Sequence, residues 1–235
     1  IASEKELREN RPDAVVILGD TNSALAAIIA RRLGIPIYHM EAGNRCYDIN
    51  VPEETNRRIV DHISHFNLVY TEHARRQLIA EGIPQRYLYV TGSPMKEVLE
   101  KYADQIETST VLAELNLDAQ NYILVSMHRE ENVDSKKPLA QLVTALDQLA
   151  IHFEVPVVVS THPRTRKRME SFGIKASDRI RFMKPFGFFD YVYLQKNALC
   201  VVSDSGTISE ESSILSFPAV TIRNAIERPE ALDTG

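Results

Sequence analysis

Charged side chains crowd a short stretch of this sequence that lies between two apolar runs. The stretch reads EAGNRCYDINVPEETNRRIVDH, residues 41–62, and combines acidic residues, arginines and a histidine. A solvated loop is its simplest interpretation. The alternative is acid/base chemistry, because burial and neighbouring like charges raise the pKa of a carboxylate towards that of a useful base. Glu41 ends an apolar run, so a merely solvated role fits it least.

A second stretch, SDSGTISEE, begins at Ser203 and has the residue types of an anion site. An apolar run ends there, and Ser205, Gly206 and Thr207 then open a predicted helix. Backbone N–H groups and the helix dipole at that point favour phosphate, and a glycine lets the backbone approach closely. Glu211, one turn into the helix, is suited to accept hydrogen bonds from ribose hydroxyls. An ordinary capping box, with Ser or Thr followed three residues later by Glu, explains the same pattern.

Polar clusters follow apolar runs at five places along the chain. They are GDT at residues 19–21, HMEAG at 39–43, SMHREEN at 126–132, STHPRT at 160–165 and SDSGTISEE at 203–211. In a doubly wound sheet, ligands bind outside the carboxyl ends of the strands. Five clusters at equivalent places therefore indicate a binding site.

The elements that must position these clusters are short apolar strands alternating with amphipathic helices, which predicts an α/β fold. The predicted strands are AVVILGD, IPIYHM, FNLVY and YLYVTG in a first half, and YILVS, VPVVVS, RIRFM, ALCVVSD and PAVTI in a second. Continuous apolar strands favour parallel sheets covered on both faces. We expect two Rossmann-like domains, residues 1–95 and 121–235, joined by a polar helical linker at 96–120 and separated by a cleft.

The composition excludes several classes of function. A net charge of −5 with scattered arginines offers no basic surface for nucleic acid. No apolar run approaches the roughly 18 residues of a membrane-spanning helix, and no signal peptide opens the chain, so we expect a cytoplasmic protein. Cys46 and Cys200 are too few and too far apart for a disulfide framework. His62 and His65 lack the third ligand of a metal site, and no metal is predicted.

The motifs GDT, HMEAGNR, VPEETNRR, VTGSP, HREEN, SDSGTISEE and ERPEA, in this order, resemble the non-hydrolysing UDP-N-acetylglucosamine 2-epimerase family. The resemblance extends over essentially the whole chain. It implies the GT-B architecture of two Rossmann-like domains, a homodimer and a reaction without a cofactor. Members of the family begin earlier and end later than this sequence, so the resemblance implies a chain truncated at both ends.

The family's reaction removes the C2 proton of a UDP-N-acetylhexosamine and eliminates UDP from C1 to leave a glycal-like intermediate. UDP is then re-added while C2 is protonated from the opposite face, which requires two proton-handling groups. By resemblance, Asp20, Glu41 and Glu53 are the acid/base carboxylates, and His128 lies beside the leaving diphosphate. Glu41 and Glu53 flank the NRCYD loop, which can fold both over a sugar. Turn capping by Asp20 and favourable charge at a helix N-terminus for Glu53 are the structural alternatives.

The resemblance also assigns UDP to the second domain. It implies that Ser205 and Gly206 bind phosphate and that Glu211 binds the ribose. Arg228 of ERPE then contacts the diphosphate.

Three further residues match positions near the nucleotide. Tyr191 of FFDYVYL corresponds to an aromatic residue that packs on uracil, with core packing on a helix as the alternative. Arg57 of ETNRR and Arg129 of HRE carry forked donors suited to phosphate, and surface ion pairs are the alternative role for each.

Two departures concern regulation and substrate. Where many members carry a His-x-Asn-Pro motif that helps bind a second, activating UDP-sugar, this sequence has THPRT around His162, which argues against such regulation. EAGNRCYD, VPEETNRRIVDHIS and MHREENVD resemble the branch that makes UDP-N-acetyl-L-fucosamine from UDP-2-acetamido-2,6-dideoxy-L-talose more closely than the UDP-GlcNAc/UDP-ManNAc branch. That branch implies a role in capsule or O-antigen polysaccharide biosynthesis.

Four alternatives share some of these motifs. They are a UDP-GlcNAc/UDP-ManNAc 2-epimerase, a hydrolysing 2-epimerase that releases free sugar, a GT-B glycosyltransferase with an acceptor cleft, and a catalytically silent UDP-sugar-binding module. The presence of all three carboxylates together with His128 argues against the silent module.

Overall fold

The computed structural model describes residues 2–223 and 226–233 of the chain. The protein divides into two compact units, the first formed by Ile1–Pro94 with Ala225–Gly235 and the second by Met95–Asn224. Within the described ranges, each helix is either too short or too polar to cross a membrane.

A parallel four-stranded sheet in the order β1-β2-β3-β4 forms the centre of the first unit. Its strands are β1 (Val15–Leu18), β2 (Ile37–Ala42), β3 (Phe66–Val69) and β4 (Leu88–Val90). Its helices are α1 (Ala2–Asn10), α2 (Ala26–Arg32), α3 (Pro52–Ile63), α4 (Glu72–Ala80) and, near the end of the chain, a short helix at Glu230–Asp233 (α13). Single 3-10 turns span Asn22–Leu25 and Gln85–Tyr87.

Small and branched apolar residues determine which helix faces are buried in the first unit. Ala27 and Ala30 lie on one face of α2, since residues three apart share a face, and both are fully buried. They pack in one apolar cluster with Ile37 of β2 and Val60 of α3. This packing holds the second half of α3 against α2 and the sheet.

The second unit contains five parallel strands in the order β7-β6-β5-β8-β9. They are β5 (Ile123–Met127), β6 (Val157–Thr161), β7 (Ile180–Met183), β8 (Cys200–Ser203) and β9 (Ala219–Thr221). The chain moves from β5 to one edge of the sheet and then returns to the other side of β5 with β8. The winding direction therefore reverses between β5 and β8, which is where sheets of this kind bind ligands.

Helices cover both faces of this second sheet. They are α5 (Met95–Lys101), α6 (Ala103–Glu107), α7 (Val111–Leu115), α8 (Glu130–Val133), α9 (Lys136–His152), α10 (Pro163–Phe172), α11 (Phe188–Asn197) and α12 (Ile208–Leu215). Val125 of β5 faces one apolar cluster with Leu146 of α9, and its neighbour Leu124 faces another with Leu194 of α11. Alternate residues of β5 are thus buried on opposite faces, which confirms the predicted covering on both sides for this parallel sheet. In the first sheet, Val16 and Leu18 of β1 are 65% and 62% exposed, so that prediction does not hold for its edge strand β1.

The polar stretch that the sequence indicated as a linker, residues 96–120, packs within the second unit. Leu99 of α5 and Ile106 of α6 are buried together with Val192 of α11. Ser109 donates to a carboxylate oxygen of Asp190 at 2.6 Å. Burial of apolar side chains along this stretch explains why it belongs to the second unit.

The end of the chain belongs to the first unit, whereas the sequence had grouped it with the second domain. The backbone N of Arg45 donates to the carbonyl oxygen of Glu227 at 3.1 Å. The hydroxyl of Thr71 donates to Oε1 of Glu230 at 2.8 Å. These contacts place residues 226–233 against the loops of the first sheet.

Candidate active site

Asp20 follows β1 in a turn that begins with Gly19, whose positive φ of 76° suits a glycine. Arg57, on α3, donates to Oδ2 of Asp20 from both Nε, at 2.9 Å, and Nη2, at 2.7 Å. The side-chain amide of Asn56 donates to the backbone carbonyl of Asp20 at 2.9 Å. The first turns of α3 therefore hold both the carboxylate and the backbone of Asp20.

The pKa of the Asp20 carboxyl lies above its ordinary value. Burial is the largest cause, because it disfavours the charged form. The positive charge and hydrogen bonds of Arg57 lower the pKa, whereas the negative charges of Glu41 and Glu227 raise it further. The balance moves the carboxyl towards the pKa range in which it can exchange a proton near neutral pH.

Glu41 occupies a strained position at the end of β2. Its φ is +66°, and the pairing register with β3 shifts between Met40 and Ala42, so that Glu41 is the extra residue of a bulge. A left-handed conformation costs a residue with a side chain about 1–2 kcal/mol, and such strain clusters at functional sites. A Cβ atom added to Gly19 would lie 3.4 Å from Oε2 of Glu41. The bulge therefore turns the Glu41 carboxylate towards the turn that carries Asp20.

Two donors fix the carboxylate of Glu41. Arg228 donates from Nη2 to Oε1 at 2.7 Å, and Asn44 donates to the same oxygen at 3.3 Å. The guanidinium of Arg228 also lies 5.6 Å from the ring centroid of Tyr70, a cation–π geometry. Arg228 is 7% exposed, whereas the side chain of Glu41 is 29% exposed, so the carboxylate keeps some access to solvent.

Glu53 and Glu54 are adjacent in the first turn of α3 but have different surroundings. Glu53 is half-buried, and in the part of the chain that the structure describes its side chain makes no hydrogen bond or ion pair. Glu54 is 1% exposed and accepts bonds from the backbone N of Cys46 at 3.0 Å, from Arg57 at 3.2 Å and from Arg58 at 2.8 Å. Burial raises the pKa of Glu54, but these bonds outweigh it and lower the pKa overall. Glu54 is thus committed to structure, and Glu53 is the carboxylate left available.

His128 and Asp204 meet at the reversal point of the second sheet. His128 follows β5 and Asp204 follows β8, and Nδ1 of the histidine lies 3.0 Å from Oδ1 of the aspartate. An aspartate at Nδ1 accepts the hydrogen of that nitrogen and leaves Nε2 for another partner. The side chain of His128 is 46% exposed, so Nε2 is accessible.

Asp204 is a fully buried carboxylate with many donors. The backbone N–H groups of His128 and Arg129 each donate to Oδ2 at 2.9 Å, and the side-chain amide of Asn132 donates to it at 3.0 Å. Burial raises the pKa of Asp204, but the hydrogen bonds from these residues outweigh it and hold the pKa below its ordinary value. Asp204 therefore remains ionised and fixes the loop that carries His128 and Arg129.

Tyr191, on α11, lies at the same end of the second sheet. Its hydroxyl bonds with Ser126 at the end of β5 and Ser203 at the end of β8, while burial raises its pKa to about 12. The ring is half-buried against the apolar cluster beneath it. The structure thus anchors the tyrosine by its hydroxyl and packs part of its ring in the core.

The loop after β8 leads through Ser205 and Gly206 to Thr207, the N-cap of α12. Thr207 makes no side-chain cap bond, so this half of the alternative capping box is not formed. Instead its hydroxyl donates to Oε1 of Glu211 at 2.6 Å and lies 3.0 Å from Oγ of Ser205. The amide of Gln195 donates to Oε2 of Glu211 at 2.5 Å. These bonds orient the hydroxyls and the carboxylate at the opening of α12.

The structure brings the predicted residues together in two groups, one in each unit. Asp20, Glu41, Arg57 and Arg228 form the group of the first unit, and His128, Arg129, Tyr191, Ser205, Gly206 and Glu211 lie around the strand ends of the second. Sequence reasoning missed Asp204, although its place directly after a buried strand was a usable signal. Within the described residues, no cluster of three potential metal ligands is found.

Comparisons with known proteins agree with the motifs. A family model described as UDP-N-acetylglucosamine 2-epimerase matches residues 1–235. A UDP-N-acetylglucosamine 2-epimerase of Methanocaldococcus jannaschii is 36% identical over 100% of this chain and 66% of its own length. A structure of the M. jannaschii enzyme in complex with UDP-GlcNAc and UDP has a TM-score of 0.90, at 37% identity over 98% of this chain and 65% of its own.

Two further relatives are similar over the same range. The structure of a UDP-N-acetylglucosamine 2-epimerase from Rickettsia bellii has a TM-score of 0.90 and 50% identity, covering 98% of this chain and 61% of that one. A UDP-2,3-diacetamido-2,3-dideoxy-D-glucuronate 2-epimerase of Pseudomonas aeruginosa is 32% identical over 99% of this chain and 64% of its own length. The chain thus spans about two thirds or less of the length of the relatives it matches. Because the family model matches it from end to end, the chain belongs to the UDP-N-acetylglucosamine 2-epimerase family.

Proposed function

We propose that the full-length protein is a non-hydrolysing UDP-N-acetylhexosamine 2-epimerase. One carboxylate removes the proton from C2, the electron pair forms the C1–C2 double bond, and UDP leaves C1 from the opposite face. UDP then adds back to C1, and a second group protonates C2 from the other face. UDP returns to C1, and the proton lost from C2 to the first group is replaced by one from the second group, so the reaction balances without an oxidant, a reductant or a cofactor.

The observation that carries this proposal is the raised pKa of the Asp20 carboxyl. Burial and the nearby carboxylates raise this pKa, although Arg57 binds the carboxylate. A carboxylate is a weak base towards carbon, so raising its pKa reduces the difference between that pKa and the pKa of the C2–H group. Glu41 and Glu53 are the further acid/base candidates. Glu41 is supported by its strained bulge, and Glu53 by its half-buried position and the absence of a side-chain partner among the described residues.

The leaving diphosphate would be received by cationic and donor groups. His128 is supported by its exposed Nε2 and by Asp204, which fixes the tautomer. Arg228 is proposed to contact the diphosphate, which requires that it share or exchange its bond with Glu41. Arg57 and Arg129 are proposed to add positive potential for the phosphates.

The nucleotide would be held by groups of the second unit. Ser205 and Gly206 are proposed to bind phosphate through the loop that opens α12, and Glu211 to bind the ribose hydroxyls. Glu211 is already oriented by Thr207 and Gln195, and each of its oxygens keeps a second lone pair for a ligand. Tyr191 is proposed to pack on uracil with the part of its ring that the core leaves uncovered.

Proton NMR in D2O tests the reaction on the full-length protein. UDP-GlcNAc and UDP-2-acetamido-2,6-dideoxy-L-talose are supplied separately, and deuterium at C2 and the products are followed. We expect deuterium at C2 together with a new UDP-linked epimer, unchanged after dialysis against EDTA. Free sugar would instead show a hydrolysing enzyme. Bound UDP with neither exchange nor product would favour a glycosyltransferase or a binding module.

For the sugar, we propose UDP-2-acetamido-2,6-dideoxy-L-talose, with UDP-N-acetyl-L-fucosamine as product and surface polysaccharide synthesis as the role. The support is the NRCYD loop with the residue that follows it: Tyr47 is 59% and Ile49 85% exposed, and they offer apolar surface to a 6-deoxy carbon. The names of the M. jannaschii and R. bellii relatives support UDP-GlcNAc as the alternative. Selective turnover of one sugar in the NMR experiment decides between them.

For assembly, we propose a homodimer in the cytoplasm. The support is the resemblance to a family whose members tend to dimerise. Light scattering coupled to size-exclusion chromatography of the full-length protein tests it, and a monomer mass would contradict it.

A further inference from the structure

Eight ionisable side chains of the first unit form a continuous series in which basic and acidic groups alternate. Each consecutive pair lies between 2.6 and 3.4 Å apart. In order they are His39, Asp61, Arg45, Glu81, Arg58, Glu54, Arg57 and Asp20. The series closes on itself, because Nε2 of His39 lies 3.0 Å from the carbonyl oxygen of Gly19, the residue before Asp20.

Asp61 lies where this series meets the backbone. Its Oδ1 is 2.8 Å from Nδ1 of His39, and its Oδ2 accepts from Arg45 at 2.7 Å. The backbone N of Gly43, two residues after the bulge at Glu41, donates to both oxygens at 3.3 Å. One carboxylate on α3 therefore braces the bulge directly and the Gly19 turn through His39.

The ring of His39 lies between two acceptors. The carbonyl of Gly19 can only accept, so Nε2 carries a hydrogen. On the other side of the ring, Nδ1 lies 2.8 Å from Oδ1 of the Asp61 carboxylate. His39 is fully buried, so this doubly bonded ring is a rigid link between α3 and the turn.

Three side chains of the series are too deeply buried to take part in the reaction as acids, bases or substrate ligands. His39, Arg45 and Asp61 are each 1% exposed or less and cannot touch a substrate. Buried ion pairs are weak stabilisers, since apolar residues of similar volume often stabilise a fold as well or better. Their contacts lead to the two turns that carry Asp20 and Glu41, which points to a geometric role.

We propose that His39 and Asp61 are positioning residues of the acid/base site, which hold the Asp20 turn and the Glu41 bulge in register with each other. This inference rests on the proposed epimerase function. A displacement of about 1 Å at a reacting group is enough to lower turnover about a hundredfold. Loss of the brace should therefore lower the rate of the chemical step far more than the affinity for the nucleotide.

The test compares Asp61→Asn with a matched control, Asn67→Ala, in the full-length protein. Asn67 is also buried and donates to the backbone carbonyl of Asp61 at 3.0 Å, so its loss weakens the same packing without breaking the charged series. For Asp61→Asn we expect kcat and the rate of C2 deuterium exchange to fall about ten- to a hundredfold. In this variant KM and the affinity for UDP should stay within about threefold of wild type, because nucleotide binding does not depend on the brace. The control Asn67→Ala should keep kcat within about twofold, because it leaves the brace intact.

A second variant, His39→Leu, keeps the inference testable if Asp61→Asn does not fold. It leaves the Arg45–Asp61 pair intact and removes both contacts of the His39 ring, the one to Asp61 and the one to Gly19. Wild-type kcat in a folded Asp61→Asn or His39→Leu protein, or an equal loss in Asn67→Ala, would overturn the inference while leaving the epimerase function standing. Absence of exchange in the wild-type protein would overturn both.

Discussion

Arg228 donates from Nη2 to Oε1 of Glu41 at 2.7 Å, although the two residues are 187 positions apart in the chain. The pair joins a strained residue at the end of β2 to a segment that follows the whole second unit. Glu227, next to Arg228, also lies 3.8 Å from Nη2 of Arg57. The first unit therefore receives part of its charged site from the end of the chain, and two candidate carboxylates each have an arginine partner.

Replacing Arg228 by glutamine should weaken both UDP binding and turnover. The change removes a charge-assisted hydrogen bond, which is worth about 1.5–3 kcal/mol, or roughly ten- to a hundredfold in affinity or rate. Isothermal titration with UDP and NMR turnover measure the two effects. Arg32→Gln, which removes an exposed arginine at the end of α2, is the control. Undiminished UDP affinity in Arg228→Gln would remove Arg228 from the diphosphate site.

Replacing Asp20 by asparagine should abolish C2 exchange while slightly raising stability at neutral pH. The folded-state pKa of Asp20 is raised, so its contribution to stability is present below about pH 3.8 and is lost as the pH rises through the folded value. The variant avoids that loss, and we expect a Tm higher by about 2 °C at pH 7.5 and unchanged at about pH 3.5. Scanning calorimetry at both pH values checks this. A lower Tm at neutral pH would mean that the bond to Arg57 outweighs burial.

Replacing Glu53 and Glu54 by glutamine, one at a time, should have different effects: the first on turnover and the second on stability. Glu54→Gln leaves Arg57 and Arg58 without their buried partner, and we expect the free energy of unfolding to fall by about 3 kcal/mol. Glu53→Gln should keep the wild-type Tm within about 1 °C and lower turnover at least a hundredfold, the scale of a lost acid/base group. Urea unfolding and NMR exchange give the two readouts. Full turnover in Glu53→Gln would remove Glu53 from the acid/base set.

Asparagine at position 204 should destabilise the second unit in a pH-dependent way. The amide has one accepting oxygen where the carboxylate has two, and it carries no charge, so we expect a loss of about 2–4 kcal/mol at pH 7. The pKa of Asp204 is lowered, so its stabilising contribution is present above about pH 3.8 and is lost as the pH falls through the folded value. The two proteins should therefore converge in acid. Asp190→Asn, at a carboxylate bonded by Ser109, is the control and should cost under about 1 kcal/mol.

Replacing His128 by asparagine should lower turnover about a hundredfold without loss of fold. Asp204 keeps its bonds from the two backbone N–H groups and from Asn132, so the loop stays in place. Circular dichroism and UDP titration check that the nucleotide site is intact, and NMR measures the rate. Wild-type turnover in this variant would exclude His128 from departure of the diphosphate.

The strands were predictable from the sequence because each one is a short continuous run of apolar, mostly β-branched residues. VPVVVS predicts β6, and the run AVVILGD predicts β1 together with the turn at Gly19 and Asp20. The expectation that polar clusters follow strand ends has an equally physical basis, because parallel strands direct all their carboxyl ends to one edge. Sequence patterns alone therefore place His128 and Ser205 at that edge.

Tertiary structure alone decided which charged groups pair. Glu53 and Glu54 are neighbours of the same residue type, so the sequence does not distinguish their roles. Packing buries Glu54 against Arg57 and Arg58 and leaves Glu53 available. The Arg228–Glu41 and Asp204–His128 pairs join residues whose separation in the chain carries no signal. Local patterns determine strands and helices because these depend on near neighbours along the chain, whereas burial, hydrogen bonding and pKa depend on what the fold brings near in space.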